Sequence, residues 1–119
     1  MRSYGEFLTK KVLQDLGLRF IEQYTFSDLS SFDNERCKLK FDFGVLDEND
    51  NLSFLIEFDG EQHFTEYPQW HVPFESDQRK NKYCEEHNIP LLRISYTDRN
   101  YEAICAIINN FRREALPCS

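Results

Sequence analysis

Two apolar, β-like runs interrupted by carboxylates dominate residues 39–64 of this chain. The first, KFDFGVL, carries Asp42; the second, LSFLIEFD, carries Glu57 and Asp59; His63 follows in GEQHF. Residues 47–51, DENDN, separate them, and Asn and Asp favour turns, so the two runs are expected to form a hairpin. In the second run Leu55, Glu57 and Asp59 alternate with Ile56 and Phe58. The acids therefore share one face with Leu55, while Ile56 and Phe58 point into a core. A charge inside such a segment is costly unless a counter-charge or a metal meets it. Carboxylates gathered on one side of a hairpin point to a hard cation such as Mg²⁺ or Mn²⁺, whose shell also takes waters and phosphate oxygens. Asp42, Glu57 and Asp59 are the candidate metal ligands.

The flanking segments supply the rest of a fold. Residues 3–16 predict a helix capped by Ser3, with Glu6 in the capping-box position, an apolar face of Phe7, Val12, Leu13 and Leu16, and Gly17 at its end. Residues 18–24 predict a short strand and the polar residues 25–36 a loop. Strands over 38–46 and 52–59 form the hairpin. Residues 60–73 read as irregular, with Tyr67 and Trp70 as candidates for wedging into or stacking on bases. Residues 74–87 predict a helix that starts near Ser76 or Asp77 and ends at Asn88. Residues 90–96, PLLRISY, predict a buried strand. Residues 101–114 predict a closing helix with Ile104, Ile107, Ile108 and Phe111 on one side. The expected class is α/β, a mixed central sheet with flanking helices, because a hairpin followed by a helical crossover requires one parallel pairing.

At 119 residues the chain suits one domain spanning 1–119. It has no apolar run of membrane-spanning length, and its start lacks the pattern of a secretion signal. Cys37, Cys84, Cys105 and Cys118 fall at unrelated spacings, so reduced thiols and a cytoplasmic location are expected. Cys84 and His87 share a helix face but have no second pair nearby to complete a zinc site. The net charge of −7 is unlike that of a simple electrostatic nucleic-acid binder. The bases nevertheless fall in two groups. One holds Lys10, Lys11, Arg19, Arg36, Lys38 and Lys40; the other holds Arg79, Lys80, Lys82 and Arg93.

Glu6 in the first helix, KFDF at 40–43, IEFDGEQHF at 56–64 and DQRKNKYCEEHNIPLLRI at 77–94 together resemble the PD-(D/E)xK nuclease superfamily. The resemblance runs from residue 4 to about residue 96 and is strongest to the branch of very-short-patch-repair endonucleases and small phage or homing-type relatives, the EDxHD nucleases. It implies a restriction-endonuclease-like fold and metal-dependent hydrolysis of DNA phosphodiesters. Carried over position by position, it makes Glu6 the helix acid, Asp42 the metal-binding aspartate, His63 the base and Asp77 the final acid. The superfamily's usual lysine, two residues after the second acid, is Asp59 here. That fits the EDxHD branch, where histidine chemistry replaces the lysine; Lys80 is the alternative, a migrated lysine able to contact the scissile phosphate. Glu57 is then either a metal ligand or a supporting acid.

The expected activity is thus a Mg²⁺- or Mn²⁺-dependent DNA endonuclease, a nickase where one site acts alone. A homodimer would supply a second site. RNA or branched DNA are the other nucleic-acid substrates. The alternative is a catalytically decayed nuclease-fold module that binds nucleic acid or a host protein.

Overall fold

The structure is a computed structural model; it describes residues 4–31, 34–59 and 71–115, the side chains of 71–75 excepted. Helix α1 spans Tyr4–Asp15, strands β1, β2 and β3 span Arg19–Ser31, Asn34–Leu46 and Leu52–Asp59, helix α2 spans His71–Glu86, strand β4 spans Leu91–Ser95, and helix α3 spans Tyr101–Glu114. A short 3-10 turn, Tyr96–Asp98, joins β4 to α3. The strands form one mixed sheet in the order β1-β2-β3-β4. The first two pairings are antiparallel and β3–β4 is parallel, the crossover running through α2. The α/β class and the mixed sheet match the expectation.

Each face of the sheet has its own core. Leu8, Val12 and Leu13 of α1 and Ile104 and Ile108 of α3 pack on Phe43, Val45, Phe54, Ile56, Phe58 and Ile94. On the opposite face, Cys84 of α2 packs with Leu29, Leu39, Phe41 and Leu55, backed by Tyr24, Phe26 and Tyr83. Strand alternation explains β3: Leu55 and Glu57 face α2, whereas Ile56 and Phe58 face α1 and α3.

Local chemistry accounts for the element ends. Gly17, at φ +72°, closes α1, and Leu18 N–H returns to the Leu13 carbonyl at 3.0 Å. The hairpin turn is built on Asp47, whose Oδ1 accepts from the N–H groups of Asn49 and Asn51 at 2.8 and 3.0 Å. Asn88, at φ +56°, ends α2, and Asn100 caps α3 by accepting from Ala103 N–H at 2.8 Å.

Several expectations change. The polar residues 25–31 belong to β1 rather than to a loop, and β2 begins at Asn34. Part of the segment pairs with β2, at Thr25↔Lys40, Ser30↔Lys38 and Ser31↔Asn34, and two of its carbonyls take side-chain donors. Lys38 Nζ donates to the Ser27 carbonyl at 2.7 Å and Arg79 Nε to the Ser30 carbonyl at 2.9 Å. Phe7 is 54% exposed, and Leu8 takes its place in the core. Helix α2 starts at His71, so Ser76 and Asp77 lie inside it rather than at its cap. No helix among the described residues is long and apolar enough to cross a membrane.

Candidate functional site

The site forms where β2 and β3 part. Their pairing ends at Phe43↔Ile56. Beyond it, two backbone donors are met by carboxylates rather than by carbonyls of a ladder. Asp42 N–H donates to Glu57 Oε1 at 3.0 Å, and Phe58 N–H donates to Asp42 Oδ2 at 2.7 Å. Each strand thus satisfies a backbone donor of the other with a carboxylate. The parting also changes the faces of β2: Phe41 packs beneath α2, whereas Phe43 packs beneath α1 and α3. An unbroken strand would put both on one side. Gln23 of β1, between the Glu22↔Phe43 and Tyr24↔Phe41 pairs, sits at φ +54°.

Helix α1 brings the third acid. Gly5 lies so close to the Phe58 ring that a Cβ there would fall 2.0 Å from its Cζ. This close approach carries Glu6, the next residue, to a hydrogen bond with the Asp42 carboxyl. Burial, then this hydrogen bond, then the Glu57 charge push the Asp42 carboxyl up to about 8, against the pull of Phe58 N–H.

Lys80 of α2 completes the group. Its Nζ lies 3.1 Å from Glu57 Oε2 and 5.3 Å from the centre of the Phe41 ring, with the side chain only 11% exposed. Burial raises the Glu57 carboxyl, while Lys80, the Asp42 N–H and Arg93 pull it back down. Both Glu57 oxygens are therefore engaged, one by backbone and one by lysine. This geometry is that of a supporting acid, one of the two roles open to Glu57.

Asp59 and Asp77 lie in an adjoining cluster. Arg93 Nη1 donates to Asp59 Oδ1 at 2.7 Å, and Arg93 Nη2 is 3.8 Å from Asp77 Oδ1. The carboxylate at the position of the usual motif lysine is thus matched by an arginine from β4. Among the described residues no three His, Cys, Asp or Glu side chains converge to hold one metal ion, so Asp42, Glu57 and Asp59 are not a preassembled trio. Glu6 with Asp42 is the pair whose chemistry fits a hard dication. Both offer oxygen, and they meet through a hydrogen bond in a partly buried place, where a dication would take the place of the shared proton.

His63, with Tyr67 and Trp70, lies outside the described residues, as do Ser3 and Cys118. Cys84 is buried in the core, which pushes its thiol up to about 11, and the His87 ring packs against Tyr83, tilted, with 4.1 Å between ring centres. Sequence reasoning missed Asn81, and it counted Arg93 only among the surface bases. The available signal was Arg93 itself, the one charge in an otherwise uncharged strand, aligned by register with Glu57.

Comparison with known proteins finds no matching family model, no matching curated protein and no matching solved structure.

Proposed function

We propose that this chain is a restriction-endonuclease-like, metal-dependent endonuclease that hydrolyses DNA phosphodiester bonds, acting as a nickase where a single site works alone. The observation that carries the reading is the convergence of Glu6, Asp42, Glu57 and Lys80, from α1, β2, β3 and α2, at the point where two strands part. These are the residue types of the PD-(D/E)xK pattern, with the lysine delivered from the helix rather than from the strand.

Glu6 and Asp42 would hold Mg²⁺ or Mn²⁺, which when bound supplies Lewis-acid polarisation of a phosphate oxygen and a more acidic water. The other roles belong to the chain. The bond from Phe58 N–H to Asp42 Oδ2 holds the carboxyl in place beside Glu6. Glu57 holds the Lys80 ammonium in place. Lys80 stabilises negative charge that grows on the scissile phosphate. His63 is the candidate base that takes the proton of the attacking water.

Conversion of supercoiled plasmid to nicked circles in Mg²⁺ or Mn²⁺, abolished by EDTA, is the expected result. DNA binding in Ca²⁺ with no conversion under any divalent ion would favour the decayed binding module instead.

A further inference from the structure

Among its described side chains, helix α2 meets the sheet through Cys84 and Tyr83 and through a set of directional polar contacts. Of its described side chains, only Cys84 is fully buried. Apolar burial is non-directional and does not by itself fix the position of a helix along a sheet. Hydrogen bonds do. Arg79 reaches the Ser30 carbonyl, Tyr83 Oη donates to Asp28 Oδ1 at 2.7 Å, and Lys80 meets Glu57. The densest of these contacts is centred on Arg93 of β4. Its Nε and Nη2 both donate to Asn81 Oδ1, at 3.1 and 2.9 Å, while Nη1 holds Asp59 on β3. Asp77, one turn earlier on α2, lies 3.8 Å from the same guanidinium.

Asn81 is the residue next to Lys80, and Asp77 precedes it by three, so the guanidinium grips α2 on both sides of the site lysine. We propose that Arg93 is a positioning residue for Lys80. By forking between Asn81 on α2 and Asp59 on β3 it sets the height and rotation of the helical turn that presents the ammonium to Glu57. Lysine is a poorer fit to this role, because its three donors rotate on a single nitrogen and lack the rigid planar fork that fixes the directions of both bonds. The inference gives Asp59 a purpose at the position of the missing motif lysine: it anchors the arginine that places the replacement lysine. It rests on the reading of Lys80 as a site residue.

The test reads Lys80 directly. Brief acylation of the folded protein with an amine-directed acetylating reagent, followed by peptide mass spectrometry, gives the relative reactivity of Lys80 and of exposed Lys82 on the same helix. In the wild type Lys80 should react more slowly than Lys82, being paired and nearly buried. In Arg93→Lys and in Asn81→Ala the Lys80 rate should rise while the Lys82 rate holds. Asn81 is exposed, so its truncation carries the test if Arg93→Lys does not fold. Single-turnover cleavage should fall roughly 10–100-fold, the scale of a small misplacement of a reacting group, with DNA affinity in Ca²⁺ unchanged. An unchanged Lys80 rate in both variants would overturn the positioning role. Absence of cleavage by the wild type would count against the nuclease reading alone, since the acylation result stands without it.

Discussion

Asp42→Asn should stabilise the metal-free protein while abolishing its cleavage. The folded carboxyl is pushed from its ordinary 3.8 to about 8 by burial, by the Glu6 hydrogen bond and by the Glu57 charge. A folded-state value above the unfolded one means that the folded form binds the proton more tightly. The stability from this group is therefore fully present below about pH 4 and is lost as the pH rises toward about 8. Asparagine removes the charge at nearly constant shape, keeps an acceptor for Phe58 N–H and offers Glu6 a donor. Like charges about 4 Å apart at an effective dielectric near 20 repel by roughly 4 kcal/mol. Relaxation and partial protonation take up part of this, leaving on the order of 1–3 kcal/mol in favour of the variant near pH 8. Unfolding entropy of about 2.1 cal/mol/K per residue gives about 0.25 kcal/mol/K for 119 residues, hence a rise in Tm of about 4–12 °C. The assay is thermal unfolding by circular dichroism in EDTA across the pH range, repeated with Mg²⁺. The gap should narrow toward acid pH, and Mg²⁺ should raise the Tm of the wild type alone. A variant less stable than wild type at about pH 8, or an equal Mg²⁺ shift in both, would refute the reasoning.

Other substitutions follow from the same geometry. Lys80→Met should cost on the order of 3 kcal/mol, because it strands a nearly buried Glu57, and adding Glu57→Gln should recover part of the loss in a denaturant double-mutant cycle. Purely additive losses would contradict a coupled pair. Gly5→Ala should destabilise by about 1–3 kcal/mol despite alanine's better helix propensity, since the added Cβ meets the Phe58 ring; a more stable variant would show that α1 is not held at that distance. His63→Ala should lower the single-turnover cleavage rate by about 10²–10⁴ with little change in DNA affinity, and a wild-type rate would move the base role to Lys80 or to metal-bound water. Affinity for DNA should fall as salt rises, as phosphate contacts release counterions, and salt-independent binding would argue against a backbone-gripping role for the basic groups.

The sequence made some elements legible and hid others for physical reasons. Helix α3 and the hairpin turn carry their own signals, an Asn100 cap with an isoleucine stripe and an Asp47 side chain that closes the turn on its own backbone. Residues 25–31 do not. Their strand character depends on β2 beside them and on Lys38 and Arg79 donating to their carbonyls, which no local pattern announces. The same holds for Phe7: its spacing suits a buried stripe, but the approach of Gly5 to Phe58 turns α1 so that Leu8 faces the core. In the site, Glu6, Asp42, Glu57 and Lys80 were readable as carboxylates and a lysine in a recognisable order. The division of labour among them was not. It is set by where β2 and β3 stop pairing, which gives one Glu57 oxygen to Asp42 N–H, by Lys80, which takes the other, and by Arg93, which claims Asp59 from a strand far along the chain.

The most direct test of the central claim is side-by-side single-turnover cleavage of supercoiled DNA by wild type and Asp42→Asn, each in Mg²⁺ and in EDTA. Nicked circles formed by the wild type in Mg²⁺ alone, with none from the folded variant, are the predicted result. Equal cleavage by the two proteins, cleavage that survives EDTA, or none from the wild type under any divalent ion would contradict it.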